Sequence, residues 1–184
     1  MNAFPMMSFP LPSKETITLP GGGIVRAPRG YKPDPLKDER WRAVGVLVLY
    51  RHLRSMLSGT MESNGVIAIA RRDAHADIDD FVNAARGALT TRWAHGDEQG
   101  WGDSAKRLPV ERRTATDGVE LSGALSVHVV GFWDVYDWPG RFLALEHACG
   151  LRVAAWIWDK HGGEKRARAM ANAIARSYRG GVEA

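Results

Sequence analysis

The stretch Val119–Val130, with the sequence VELSGALSVHVV, alternates between apolar and polar side chains. One set of alternate positions holds Val119, Leu121, Leu125, Val127 and Val129, and the other holds Glu120, Ser122, Ser126 and His128. A period of two residues is typical of a β-strand that buries one face. We therefore predict a strand here, and the C-terminal third of the chain is arranged around it.

Downstream of this strand, Phe132–Arg141 reads as a turn or short loop because it contains Pro139-Gly140. Two further strands are predicted over Phe142–Gly150 and Leu151–Trp158. In the second strand Trp156 and Trp158 share a face that is too apolar for open water, so we expect a helix or a partner to cover it. From Glu164 to Tyr178 the apolar residues recur at helical spacing and basic residues occupy much of the opposite side, which predicts an amphipathic helix.

Upstream, Thr16–Leu19 and Ile24–Ala27 flank a glycine run, which favours a hairpin over a phosphate-binding loop because no helix follows it. The remaining predictions are a linker-like segment at Lys32–Pro35, a strand followed by a short helical or polar stretch within Asp38–Leu57, a strand at Gly65–Ala70, a helix within Asp77–His95 and an edge-like strand at Pro109–Ala115. Acidic residues between Asp73 and Asp80 would cap that helix.

Runs of strands with few helices between them predict an α+β fold, a mainly antiparallel sheet with helices packed on it as an α/β/α sandwich. The length of 184 residues suits one domain. We expect residues 1–15, which contain three prolines and show no periodicity, to form a flexible arm, and residues 16–180 to form the single domain.

The composition predicts a soluble globular protein, with 45% hydrophobic and 25% charged residues. The formal net charge of +4 does not by itself indicate nucleic-acid binding. Cys149 is the only cysteine, so an intrachain disulfide is excluded. The N-terminus does not have the pattern of a signal peptide, which favours a cytoplasmic protein, or a periplasmic one if a signal peptide has been removed. The richness in Ala, Arg and Gly suggests a bacterial source.

The chain resembles the small Mog1/PsbP-like fold, which includes DcrB-type proteins and the chaperones of secreted Rhs effectors. The resemblance depends on three features: the opening Thr16-Ile-Thr-Leu-Pro-Gly-Gly with Val25-Arg-Ala-Pro, the middle helix ending near Trp93, and the closing Leu151-Arg-Val-Ala-Ala-Trp-Ile-Trp with a helix ending Ile174-Ala-Arg-Ser-Tyr. It implies a non-enzymatic binding or accessory protein, of the kind that accompanies bacterial secretion systems. No site residues of that family can be assigned to positions in this chain.

Three groups of residues have a chemical and a structural interpretation. The acidic and histidine residues from Asp73 to Asp80 could bind a metal, but carboxylates at a helix start also serve as caps. His147 and Cys149, two apart on a predicted strand, could form a nucleophilic pair, but a buried cysteine also packs as a small apolar residue. The basic residues could bind nucleic acid with Trp101 as a stacking ring, or could simply be solvated. They are Arg71, Arg72, Lys106, Arg107, Arg112, Arg113 and the arginines of the last helix. In all three groups the structural interpretation is favoured, so no metal, cofactor or catalytic residue is predicted and nucleic acid is not expected as the partner.

The most informative feature is the aromatic and acidic segment after Val130. Turns rarely need so many aromatic rings, and Trp and Tyr dominate the binding energy of protein interfaces. Alternatively, two or three of these rings close the core at a sheet edge. The predicted partner-binding residues are Phe132, Trp133, Asp134, Tyr136, Asp137 and Trp138, together with Trp101 and Trp158.

These observations favour a non-enzymatic bacterial protein-binding domain, an immunity protein or chaperone that neutralises or accompanies a secreted toxin or effector. One alternative is an enzyme whose site assembles from His75, His95, His128 and dispersed carboxylates. Another is a nucleic-acid-binding protein that uses the basic C-terminal helix. We predict another protein as the partner and no membrane association.

Overall fold

A computed structural model of the protein describes residues 12–33, 38–54, 61–90, 111–115, 118–130, 135–158 and 162–180. Within these ranges the strands are β1 (Pro12–Thr18), β2 (Ile24–Pro28), β3 (Lys32–Pro33), β4 (Leu47–Arg54), β5 (Met61–Arg71), β6 (Glu111–Ala115), β7 (Gly118–Val130), β8 (Val135–His147) and β9 (Leu151–Trp158). The helices are α1 (Asp38–Arg42), α2 (Ile78–Thr90) and α3 (Gly163–Ser177). A 3₁₀ turn at Arg72–Ala74 connects β5 to α2.

Seven of these strands form one sheet in the order β3-β4-β5-β9-β8-β7-β6, and each described pairing is antiparallel. The last strand in sequence, β9, lies inside the sheet between β5 and β8. β1 and β2 pair only with each other as a separate hairpin. The sheet therefore consists of two meanders, β3–β5 and β6–β8, and β9 lies between them and pairs with both.

Apolar side chains are buried on both faces of the sheet. On one face, the hairpin and α3 pack over the sheet, with Val25, Met170 and Ile174 almost fully buried. On the other face, α1 and α2 cover the sheet with Trp41 and Phe81. Burial of this apolar area on both sides is the main term that stabilises the three layers. The protein has an α+β fold with helices on both faces of an antiparallel sheet, which confirms the predicted fold class.

The glycine run forms the turn of the β1–β2 hairpin, as predicted. The amide of Leu19 donates to the carbonyl of Gly23 at 2.9 Å, which closes the turn. Gly23 has a φ of +83°, and a Cβ at this position would lie 2.8 Å from the ring of Tyr178. A side chain is excluded there because the turn packs directly on the residue that follows α3.

The strands β5, β6, β7 and β9 and the helices α2 and α3 occur where the sequence predicts them. Other boundaries differ from the predictions. β1 begins at Pro12, so it includes residues that we expected in the arm, and the linker-like segment contains the two-residue strand β3. The short helix α1 precedes β4, whereas we predicted a strand followed by a helical stretch.

Two expectations are wrong: His147 and Cys149 do not share a strand face, and Cys149 is not a buried apolar residue. β8 ends at His147, and the next three residues form the turn to β9, which leaves Cys149 exposed. None of the helices in the described ranges has the length and hydropathy needed to cross a membrane.

Candidate functional site, the projecting β7–β8 ribbon

At one end of the sheet, the described parts of β7 and β8 continue as a two-stranded ribbon beyond the last described residues that pair with β6 and β9. The ribbon comprises residues 126–130 of β7 paired with residues 135–139 of β8. On the β8 side, pairing with β9 begins only at Gly140, which lies opposite Trp158. On the β7 side, pairing with β6 reaches no further than Ser122. Within the described residues, the two ribbon strands therefore pair only with each other.

The ribbon contains several of the predicted partner-binding residues. Tyr136, Asp137 and Trp138 stand opposite Val129, His128 and Val127 respectively. Trp158 ends β9 at the base of the ribbon. Trp101, Phe132, Trp133 and Asp134 lie outside the described residues. The fold thus brings four of the eight predicted positions, Tyr136, Asp137, Trp138 and Trp158, to the same end of the sheet.

The predicted loop at Phe132–Arg141 is shorter than expected, because β8 already begins at Val135. Pro139-Gly140 indicated a turn because proline removes a backbone donor. Pro139 lies one residue before the β8–β9 pairing starts, so in the described structure β8 has a neighbour on only one side there. Proline is tolerated in a strand at such an edge position.

Trp156 and Gly140 form the base of the ribbon on the α2 side of the sheet. Trp156 is 3% exposed and belongs to the same buried cluster as Phe81 and Phe142. A Cβ at Gly140 would lie 2.5 Å from the indole nitrogen of Trp156, so the indole lies directly on the strand. Trp156 is therefore part of a core cluster that includes residues of α2, and it is not exposed to a partner.

The histidines proposed for an enzymatic site do not converge in the described structure. His75 is buried beside Phe81, with ring centroids 5.7 Å apart, and its Nδ1 lies 3.5 Å from a carboxylate oxygen of Asp80. His128 lies opposite Asp137 in the ribbon. His75 lies near the other end of β8, because its carbonyl accepts a hydrogen bond from Arg152, which is opposite Glu146. Positions 137 and 146 are nine residue steps apart along the strand, about 30 Å. His95 lies outside the described residues.

The acidic residues before α2 are engaged in structural contacts. A carboxylate oxygen of Asp77 accepts from the amide of Asp80 at 2.8 Å, which caps the start of α2 as predicted. Asp80 in turn accepts from the amide of Ala76 at 3.2 Å. Asp79 pairs with Arg112, and Asp73 accepts from Arg71. Among the described residues no group of three or more His, Cys, Asp or Glu side chains is placed to hold a metal ion.

One buried carboxylate, Glu120, and one half-buried carboxylate, Glu146, are paired with arginines. Glu120, 5% exposed, receives a two-pronged contact from Arg168 of α3, with one nitrogen–oxygen distance of 2.7 Å, and Arg168 also binds Glu164 at 2.8 Å. The Arg168 hydrogen bonds hold the pKa of Glu120 below its ordinary value, and the same contacts raise the pKa of Arg168. Arg152 binds Glu146 at 2.6 Å. The Arg168–Glu120 pair attaches α3 to the sheet, whereas the Arg152–Glu146 pair joins β9 to β8, and Arg152 also donates to the carbonyl of His75 before α2.

Many of the basic residues proposed for nucleic-acid binding are neutralised within the protein. Arg71 pairs with Asp73, Arg72 with Glu146, Arg112 with Asp79 and Arg113 with Glu111. Lys106 and Arg107 lie outside the described residues. These ion pairs reduce the positive charge that is available to a phosphate backbone.

A groove between β2 and the end of α3 was not anticipated from the sequence. Its volume is about 340 Å³, and its lining includes Arg26, Arg176 and Arg179. Arg26 is distant in sequence from the other two arginines, so no local motif could have joined them. Only the packing of the hairpin against α3 brings the three together.

Comparison with known proteins found no family model that matches the chain and no curated protein with significant similarity to it.

Proposed function

We propose that this protein is a non-enzymatic bacterial protein-binding module, and that the β7–β8 ribbon is its main contact surface. The observation that supports this most directly is that, among the described residues, 126–130 and 135–139 pair with each other and with no third strand. A strand with a neighbour on one side only has backbone groups on its outer edge that a partner strand can pair with.

The residue types in the ribbon fit the same role. Tyr136 and Trp138 occupy alternate positions of one strand, and Asp137 lies between them. Aromatic residues are enriched in interface hot spots, and an acidic residue among them favours a partner with a basic surface. Trp156, by contrast, is buried in the core, so it is not part of the proposed surface.

Within this class we favour an immunity protein or chaperone that binds a secreted toxin or effector. The resemblance to the Mog1/PsbP-like group supports this narrower role, and an antiparallel sheet with helices on both faces is compatible with that group. Such a protein would act by occluding its partner, with no chemistry of its own.

A pull-down from the native host tests the binding surface. Wild type is compared with Y136A/W138A, and with V44A as a matched control that removes an exposed apolar side chain far from the ribbon in sequence. We expect one stoichiometric protein that is captured by wild type and V44A and lost by the double variant, while circular dichroism shows that all three fold. Equal capture by the double variant would contradict the proposed surface.

The narrower role is tested by co-expression. The captured protein is expressed alone and together with wild type or the double variant. An immunity role requires that the captured protein stops growth and that only wild type restores it. A chaperone role requires that the captured protein becomes soluble only with wild type. If co-expression changes neither growth nor solubility, the toxin or effector assignment is wrong even if binding is confirmed.

A further inference from the structure

The groove between β2 and the end of α3, which we call the arginine groove, has a fixed framework. The backbone amide of Arg26 donates to the hydroxyl of Ser177 at 2.9 Å, and that hydroxyl donates to the carbonyl of Ile174 at 2.7 Å. Ile24 and Arg179 exchange two backbone hydrogen bonds of 2.9 Å each. The two walls of the groove are therefore joined by direct hydrogen bonds, and their spacing does not depend on a ligand.

The positive charge of the groove is not balanced within the described residues. Arg26, Arg176 and Arg179 are exposed, and no carboxylate group belongs to the groove lining. In the part of the chain that the structure describes, none of the three arginines has an ion-pair partner, although seven other arginines do. Arg179 donates to the carbonyl of Tyr178 at 3.0 Å, whereas the guanidinium groups of Arg26 and Arg176 form no hydrogen bond with the described residues.

The other lining groups determine which kind of anion fits. Ile24 is 40% exposed, one of two large apolar residues exposed in the described structure, and it lines the groove together with the arginines and Ala173. A volume of about 340 Å³ is much larger than a phosphate ion and is within the range of ligand sites. The lining contains no aromatic ring on which a nucleotide base could stack.

We propose that the arginine groove binds an acidic peptide segment of a partner protein, with carboxylates on Arg26 and Arg176 and an aliphatic side chain against Ile24. Guanidinium groups match the planar geometry of a carboxylate with paired hydrogen bonds. The opposite charge of such a segment complements the three arginines, and its aliphatic residue covers the exposed isoleucine. This site is separate from the ribbon and does not depend on the function proposed for it.

Fluorescence anisotropy with a labelled peptide in which Glu alternates with Leu tests the proposal. Wild type is compared with R26A/R176A and with the charge-matched control R29A/K165A, whose two residues are exposed and do not line the groove. We expect about tenfold weaker binding for R26A/R176A, because two partly exposed ion pairs are lost. The control should bind within about twofold of wild type.

Three results would overturn the proposal. The first is equal binding by R26A/R176A and the control, since the peptide would then be held by net charge alone. The second is equal binding of a peptide with Gln in place of Glu, since the groove would then be merely apolar. The third is tighter binding of single-stranded oligothymidylate than of the peptide, which would instead support the nucleic-acid alternative. Circular dichroism of each variant separates loss of binding from loss of fold.

Discussion

At the residue scale, the contact between Glu120 and Arg168 connects two layers of the molecule. Glu120 belongs to β7 and is almost fully buried, and Arg168 reaches it from α3 with both terminal nitrogens. A buried carboxylate needs such a partner because its desolvation is costly. The pair therefore attaches α3 near the edge of a sheet whose apolar core lies further toward β9.

We expect E120Q to reduce the free energy of unfolding at neutral pH by about 1 to 2 kcal/mol. Arg168 would lose one of its two carboxylate partners, Glu120, and would keep the other, Glu164. The pKa of Glu120 is lower in the folded protein than its ordinary value of 4.5, so its contribution is present above that pH and is lost as the pH falls further. Urea unfolding at neutral and acidic pH should show a weaker acid dependence for E120Q than for wild type.

The matched control is E111Q. Glu111 forms an exposed ion pair with Arg113, and both residues lie in β6, the strand next to β7. Exposed pairs contribute little, so E111Q should shift the stability by less than about 0.5 kcal/mol at any pH. If the two variants show the same acid dependence, the Glu120 contact does not stabilise the fold.

Tyr31 gives a second prediction, at alkaline pH. It is 3% exposed, and burial raises the pKa of Tyr31 from 10.0 to about 12, despite the opposing charges of Arg166 and Arg51. The unfolded chain thus loses this proton first, so the stability should fall as the pH rises from about 10 to about 12. Y31F removes the titrating group, and its urea midpoint should fall less steeply over that range than that of wild type. Parallel curves would contradict the burial of the phenol.

At the element scale, β8 is the strand whose neighbours change along its length. Its first part pairs only with β7 in the described structure, and from Gly140 onward it lies between β7 and β9. The transition coincides with the indole of Trp156, which occupies the space above Gly140. The absence of a side chain at position 140 therefore permits the close packing of the indole.

We expect G140A to destabilise the protein by about 1 to 3 kcal/mol, because the new methyl group would overlap the Trp156 ring. The control is G150A, where a Cβ has no neighbour within 4 Å but the φ of +90° disfavours a side chain. That variant should lose only about 1 kcal/mol through backbone strain. Urea unfolding measures both variants, and the tryptophan emission of G140A should also shift if the indole moves. A smaller loss for G140A than for G150A would contradict the packing described.

The sequence was sufficient to locate most elements, since strands such as Val119–Val130 and the helix α3 have clear periods of two and 3.6 residues. The sequence was insufficient where the environment of a residue depends on packing against an element that is distant in sequence. Pro139 lies in a strand at a position where the described part of β9 does not pair with β8, and Trp156 belongs to a buried cluster that includes residues of α2. The arginine groove depends on tertiary packing alone, whereas Tyr136 and Trp138 were predicted as an interface from residue type.

At the scale of the whole molecule, the two buried clusters lie on opposite faces of one sheet. Strands β4, β5, β8 and β9 contribute side chains to both clusters, alternating along their length. Because alternate residues of the same strands belong to the two clusters, a loss of packing on one face also destabilises the strands that carry the other cluster. We infer that the two clusters unfold as one cooperative unit.

This inference is tested with F81A on the α2 face and M170A on the α3 face, both of which truncate fully buried side chains. Each should cost about 2 to 5 kcal/mol, the usual range for such cavities. Unfolding followed by far-ultraviolet circular dichroism should coincide with tryptophan fluorescence, to which the buried Trp41 and Trp156 contribute, even for M170A on the opposite face. Separate transitions in M170A would show that the faces unfold independently.

The central position of β9 also has a consequence for synthesis. A chain emerging from the ribosome can form the β4–β5 hairpin and the β6–β8 meander early, because both are local in sequence. The register that joins them, such as Ile67 opposite Ala155, cannot form until β9 has been translated. During that interval β5 and β8 each present an unpaired edge and an uncovered apolar face, the combination that favours misassembly with other chains. The nascent protein is thus most vulnerable just before its last strand is made.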